Sequence, residues 1–497
     1  MERRLGREEV RAYEGRLLGL AEEDNLDRWE AEEHAGLVRP EAGDWARIVL
    51  VGDQAGETGD MADVRFQGAF SHGGQVHTIH STETYLATRS HLDPDLDHLA
   101  QRSTASHSMV VIQESSTLSP PEHLAVLARR GLPPPTQVAS SQCGHDRLGF
   151  NVQPEHAVYR DARMTAWDFG PFGIPEVTGT RVKRQNDISG GGSGPSANFV
   201  SRRSGSAASN AGLTALPPNT QPQVSSIGST SGCPKAQKVA FVGVAADCTY
   251  TNNYASAEQA RTQLLTDFNS ASSLYQSSFN VSLGIVEINV QSGACPSSAA
   301  AVDPNNKWNV GCEEGGAPGV DLNARLSIFS EWRGNKGAAD GAGLWHLLTN
   351  CSTGSEVGVA WLGQLCETNA LEGSDGQVTS GTAVTAITRS SWQVIAHEVG
   401  HHFGAIHDCG GTGISCMLSD SCCPLTASSC DASANYIMSA VSEKNVTGFS
   451  PCTIGNVCTT LSSSVNASCL ATPRQTSNPA LISYVPQPPP PPLAAQD

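Results

Sequence analysis

His397-Glu398-Val399-Gly400-His401-His402-Phe403-Gly404-Ala405-Ile406-His407-Asp408 is the stretch from which the rest of this chain can be read. On an α-helix, residues four apart share a face, so His397 and His401 bring their imidazoles to one point and can hold one metal ion. Glu398 sits beside the first of them, within reach of a water at that ion. Zinc takes nitrogen ligands tetrahedrally, and a catalytic zinc keeps one position for water. It lowers the pKa of that water to roughly 7, and a nearby carboxylate can take the proton. A third ligand on the same straight helix could not complete the tetrahedron. The chain must turn back, and Gly404 supplies the freedom for that turn and brings in His407. His402 falls on another face and reads as structural.

Working outward, Ser390 to His402 reads as one helix. Lys238 to Ala245, Ser282 to Val290 and Val357 to Leu365 read as strands. Ser256 to Phe268 and Leu322 to Trp332 read as amphipathic helices. Strands and helices alternate, which predicts α/β or α+β layering over about 237–472. Upstream, 1–184 forms a separate unit. Glu8 to Glu33 has a helical pattern, whereas Val76 to His80 and Met109 to Ile112 alternate like strands, so this unit is expected to be β-rich. Between the two, Arg181-Val182-Lys183-Arg184 is a basic cluster in a chain of net charge -18. A Gly/Ser-rich run follows, and a flexible linker is expected over 185–236. A basic cluster at the head of such a linker is open to a processing protease. The proline run from Pro486 to Pro492 makes 473–497 a tail.

The chain has 15 cysteines. Cys143 stands alone in the first half, and all the others run from Cys233 to Cys469. Such crowding reads as a disulfide framework, which persists in oxidising compartments. The Asn-x-Ser/Thr acceptors at Asn280, Asn350, Asn445 and Asn466 lie in the same half and favour the secretory route. The charged start, Met1 to Glu9, carries no apolar signal-peptide core, and no apolar run is long enough to span a membrane. A secreted or extracellular protein whose natural ends lie outside this chain reconciles these observations. A cytosolic metal-binding protein is the contrary reading. An acidic surface repels phosphates and disfavours nucleic acid as a partner.

The stretch from His397 to Asp408 resembles the zinc signature of the metzincins, and Asp408 points to their adamalysin/reprolysin (ADAM) branch. Tyr436-Ile437-Met438-Ser439-Ala440 is similar to the family's methionine turn, with Met438 below the metal. Val359-Ala360-Trp361-Leu362-Gly363 resembles its edge strand, which pairs with extended substrate. Phe449-Ser450-Pro451-Cys452 resembles the end of its catalytic domain. The resemblance covers about 237–472 well and 60–184 more loosely, in a style closest to fungal ADAM-like proteases. It implies a mixed-sheet α/β catalytic domain with long helices, preceded by a prodomain. It also implies a zinc endopeptidase acting on protein and peptide substrates, made as a latent zymogen. Where the family continues into a disintegrin module and often a membrane span, this chain ends in its proline tail. That leaves adhesion and anchoring open. A catalytically inactive adhesion protein on the same fold is the alternative, and the intact Glu398 and histidines speak against it.

Two further expectations come with the resemblance. One is a disulfide between Cys366 and Cys452. The other concerns Cys143-Gly144-His145-Asp146. A lone thiol can be a buried small hydrophobe. A thiolate is also a good zinc ligand and could occupy the water position as a cysteine switch. The resemblance favours the switch, with latency ending on cleavage at Arg181, Lys183 and Arg184. Removing the first unit then leaves an even set of cysteines.

Overall fold

The computed structural model describes residues 2–3, 12–15, 45–51, 65–89, 109–116, 120–131, 142–153, 155–159, 226–313, 318–410, 422–426, 428–441, 446 and 448–473. In the first unit, strands β1 (Ala12–Gly15), β2 (Trp45–Val51), β3 (Arg65–His72), β4 (Gln75–Ser81) and β5 (Met109–Gln113) pair in that order as an antiparallel sheet. The β3–β4 hairpin closes on Gly73 and Gly74, both at positive φ. A two-residue turn matching the strand twist requires that conformation. Where a helical pattern was expected over Glu8 to Glu33, Ala12–Gly15 is a strand; the remainder lies outside the described residues.

The second sheet positions the site. Its members are β6 (Gln142–Cys143), β7 (Lys238–Ala246), β8 (Val281–Val290), β9 (Leu344–Thr349), β10 (Glu356–Ala360) and β11 (Thr382–Ala386). Their order is β8-β7-β9-β11-β10-β6, with Glu2–Arg3 paired outside β8. The strands from β8 to β11 are parallel and β10 is antiparallel to β11. The parallel strands are covered on both faces and so read as nearly continuous apolar runs. In β7, Val239, Phe241 and Ala245 join one core, with Trp308, Phe329, Trp345 and Trp361. Ala240, Val242, Val244 and Ala246 join the other, with Leu264, Phe268, Ile395 and Val399. Helix α2 (Leu322–Lys336) lies on the first face; α1 (Ala257–Phe279) and α3 (Ser391–His402) lie on the second. The domain is thus a mixed sheet between helical layers, the expected α/β arrangement.

Helix α1 runs past the expected end at Phe268 because no Gly or Pro interrupts it until Asn280, which caps it at φ +56. Its polar side is buried as well. Asn269 donates to the Ile48 carbonyl at 3.3 Å and Arg47 donates to Gln276 Oε1 at 2.6 Å, so β2 of the first unit lies along it. The edge strand ends at Ala360 rather than Leu365, since Gly363 and Cys366 both take positive φ and turn the chain away.

The expected Cys366–Cys452 disulfide is not formed. Cys366 pairs with Cys469, with Cα atoms 5.5 Å apart, and Cys452 pairs with Cys423, at 5.6 Å. The cause is the path of the chain after the last helix, α4 (Pro451–Ser463). It returns to pair Ala471 with Val239 at the main chain, which carries Cys469 to the turn at Cys366. Cys452, at the start of α4, faces the loop that follows His407. Of the stretch expected as linker, 226–236 is described. It lies on α4, where Gly228 donates to the Pro451 carbonyl and Cys233 is bonded to Cys458.

Asp267 is buried in α1. Gln263 donates to its Oδ1 at 2.8 Å, and Oδ2 has no partner among the described residues. Burial pushes its carboxyl up to about 7, with the Gln263 hydrogen bond opposing. The folded chain therefore holds this proton more tightly than the unfolded one. The group's contribution to stability is fully present below about pH 3.8 and is lost as pH rises through about 7. Asp267→Asn keeps an acceptor for Gln263 and removes the titration. In denaturant unfolding, the variant should gain on the wild type by on the order of a few kcal/mol at about pH 8 and lose that advantage near pH 4. A difference independent of pH would contradict this.

Candidate metal centre

Helix α3 carries His397 and His401 on one buried face, as their spacing requires. The helix can lie over the methionine turn only because residue 400 is glycine. A Cβ there would meet Met438 Sδ at 2.7 Å. At its end the chain reverses. Gly404 takes φ +86, and a Cβ on it would meet Thr460 Oγ1 at 2.6 Å. Helix α4 secures the reversal: Thr460 Oγ1 donates to the Phe403 carbonyl at 2.9 Å, and Asn456 Oδ1 accepts from the Ile406 N–H at 3.2 Å. The chain then delivers His407. Asp408, next along, accepts from the Ser450 hydroxyl at the cap of α4 and from Thr453 Oγ1 at 3.1 Å. This ties the third histidine to that helix as well.

The three imidazoles converge through Nε2. His397 Nε2 lies 3.1 Å from that of His401 and 3.2 Å from that of His407. Each Nδ1 faces an acceptor: the Ile437 carbonyl at 2.6 Å for His397, the Ala405 carbonyl at 2.8 Å for His401 and Asp146 Oδ2 at 2.9 Å for His407. Acceptors of that kind fix the proton on Nδ1 and leave a lone pair on each Nε2. Three lone pairs that close together repel unless a cation lies between them. Tetrahedral zinc with nitrogen ligands at about 2.0–2.1 Å spaces those nitrogens about 3.3 Å apart. Burial holds His397 down at about 3, and the neighbouring His407 adds to this. Burial also pushes His401 well below its ordinary value, so these two imidazoles are neutral, as coordination needs. The residues present fit zinc.

Cys143 completes the set. Its Sγ lies 3.5 Å from His401 Nε2 and 3.6 Å from Glu398 Oε2, and its ligand atom lies with those of the three histidines within 4.8 Å of one another. A zinc–sulfur bond of about 2.3 Å beside a zinc–nitrogen bond predicts a separation of about 3.6 Å. Burial first, and then the Glu398 charge, push the thiol well above its ordinary value. Burial does the same to Glu398. A cation at the centre reverses that balance and favours both anions. Glu398 lies close against Gly358, where a Cβ would meet its Oε1 at 2.2 Å and displace the carboxylate.

The sequence reading assigned only the thiol of Cys143-Gly144-His145-Asp146. The neighbours also act. The His145 ring stacks on His401 with centroids 3.7 Å apart and planes within 11°. Asp146 holds His407, and Arg147 pairs with Glu356 of β10 at 2.6 Å. Further along, Asn151 donates to the Ala360 carbonyl and accepts from the Leu362 N–H, each at under 3 Å. The signal for these roles was their adjacency to the cysteine. Glu114, which accepts from Ser390 at the start of α3 at 2.9 Å, left no signal at all. Met438 lies under α3 as expected, and the His402 ring is buried apart from the converging groups. Arg181, Lys183 and Arg184 lie outside the described residues. Beside Glu398 a cavity is lined by Val357, Val394, Ile437, Ala440 and Val446 and bordered by Gln142 and Cys143.

Three buried histidines, a cysteine and a helix reversed at glycine bring together a set of side chains that could hold one metal ion. Residues 235–450 match the Reprolysin_5 model, metallo-peptidase family M12. A disintegrin and metalloproteinase domain-containing protein B of Aspergillus fumigatus is 34% identical over 443 residues, covering 88% of this chain and 49% of that protein. A protein of the same name from Arthroderma benhamiae is 32% identical over 498 residues, covering 94% and 55%. The zinc metalloprotease mde10 of Schizosaccharomyces pombe is 30% identical over 264 residues, covering 49% of each. The chain spans about half the length of these curated relatives. It carries an ADAM/reprolysin-type metalloendopeptidase domain.

Gly404→Ala tests the reversal. A left-handed backbone and a Cβ against Thr460 together should destabilise the fold by about 1–3 kcal/mol and displace His407. Thermal unfolding and bound zinc should both fall; a variant that keeps wild-type values of both would show that the turn does not need glycine.

Proposed function

We propose that this chain is the latent precursor of a secreted zinc endopeptidase, with 1–184 as a β-rich prodomain, 185–236 as linker and 237–472 as catalytic domain. The observation that carries the reading is Cys143 Sγ seated with the three histidine nitrogens, against the carboxylate of Glu398. Zinc held there by His397, His401 and His407 would polarise the scissile carbonyl and acidify water. Glu398 takes a proton from the attacking water as its oxygen bonds to the carbonyl carbon. It returns that proton to the leaving nitrogen as the C–N bond breaks. The free edge of β10 offers main-chain groups to an extended peptide, and the apolar cavity beside Glu398 suits an apolar side chain.

In the uncut chain β6 occupies that edge. Cys143 pairs with Gly358, and Gly144 donates to the Gly358 carbonyl at 2.9 Å. Substrate and attacking water are both kept out. Cleavage by a processing protease at the Arg181, Lys183 and Arg184 cluster would cut the tether and let the first unit leave. The disulfides and the exposed acceptors Asn350 and Asn466 suit a glycosylated extracellular protein.

Glu398→Ala should keep zinc and lose casein hydrolysis by several orders of magnitude, whereas His407→Ala should lose both. Cys143→Ala should raise the activity of uncut chain, and replacing Arg184 should leave the chain whole and silent. Near wild-type hydrolysis by the Glu398 variant would sink the mechanism. Equal activity of cut and uncut protein, with or without Cys143, would reduce the first unit to a folding aid.

A further inference from the structure

The three histidines are not held alike. His397 and His401 donate from Nδ1 to the carbonyls of Ile437 and Ala405, which belong to the catalytic domain and stay with it. The Nδ1 of His407 faces Asp146 Oδ2 at 2.9 Å, and Asp146 belongs to the first unit and leaves with it. The same short segment lays the His145 ring flat on His401. His145 is itself anchored: Asn151 Nδ2 lies 2.9 Å from its Nδ1, and its main-chain N–H points to Cys143 Sγ at 3.4 Å. Between Cys143 and Asp146, then, the first unit reaches the fourth coordination position, the face of one histidine and the outer nitrogen of another.

We propose that this segment is a metal-retention clamp as well as a plug, and that Asp146 is the positioning residue that makes the uncut chain hold zinc more tightly than the cut one. The inference rests on the zinc reading of the site. A carboxylate on the outer nitrogen of a ligating histidine fixes its tautomer and ring angle and raises its basicity. Losing such a partner typically costs 10–100-fold in affinity. The His145 ring adds a cover over His401 that shields the centre from competing chelators. Affinity linkage is reciprocal, so zinc in turn holds the first unit down. Processing then does two things at once. It opens the coordination position for water, and it turns a tightly held metal into a more loosely held one.

The test measures zinc transfer from uncut full-length chain, loaded one to one, to an excess of chromogenic chelator. Asp146→Ala should release zinc 10- to 100-fold faster than wild type. Asp146→Asn, which keeps an acceptor but no charge, should fall between. Lys307→Ala, which breaks an exposed pair with Glu331 inside the catalytic domain and leaves the docked segment untouched, should release zinc at the wild-type rate. The same chains loaded with cobalt separate clamping from docking. The sulfur-to-cobalt charge-transfer band of Cys143 should survive in Asp146→Ala. Wild-type release from Asp146→Ala would overturn the proposal, as would loss of the sulfur band with the faster release, since Asp146 would then only dock the segment. A wild-type chain that binds no stoichiometric zinc would instead overturn the zinc reading, and this inference with it.

Discussion

Three imidazole lone pairs point at one another across 3.1–3.2 Å in a buried site, and the domain is arranged to keep them there. Glu398 and Cys143, the other groups at the centre among the described residues, bring neutral groups or more negative charge and do not offset that repulsion. The geometry is therefore a demand for a cation, and the fold supplies the rigidity that the demand requires. Helix α3 fixes two nitrogens by its pitch. The third depends on a reversal at Gly404, on Thr460 and Asn456 of α4, and on Asp408 at the cap of that helix. Helix α4 is in turn bonded to the segment before β7, through Cys233–Cys458, and to the loop after His407, through Cys423–Cys452. These two disulfides thus brace the reversal at Gly404.

The parts of this design that follow from local rules were legible in the sequence. A four-residue spacing on a helix needs no tertiary knowledge to place His397 and His401. The glycine before His407 announces a turn by its own conformational freedom. The buried strand β7 stood out because burial on both faces demands an unbroken apolar run. Helix α1 was read too short for a related reason. Its polar residues face the sheet of the first unit and are buried there, so amphipathic periodicity fades although the helix continues.

What the sequence hid was pairing between distant segments. A cysteine carries no information about its partner, and resemblance assigned Cys366 to Cys452 where the returning main chain at Ala471 brings Cys469 instead. Asp146 and His145 were hidden differently. Their residue types are ordinary for a surface loop, and only docking against His407 and His401 gives them a role. Glu114 is the extreme case: a single carboxylate 276 residues from Ser390 in sequence, buried at the start of the active-site helix.

Glu114 also bears on how a docked unit can be both secure and removable. The first turn of a helix has unsatisfied N–H groups and a positive end. Ser390, at the N-cap of α3, makes no side-chain cap bond of its own and donates to Glu114 instead. The first unit thus supplies a carboxyl group to the start of the active-site helix. Asn151 works in the same way on the edge strand, satisfying the Ala360 carbonyl and the Leu362 N–H that β10 leaves open. Each contact replaces a partner that water can provide after release. Apolar contact adds to these, with Val49, Val76, Val158 and Tyr159 joining the catalytic core. A unit held by a purely apolar face would leave an exposed patch on departure. One held largely by exchangeable hydrogen bonds and a metal ligand can be displaced without leaving the catalytic domain's polar groups unsatisfied. On the proposed zymogen reading, the division suits a cover that fits tightly once and is then shed.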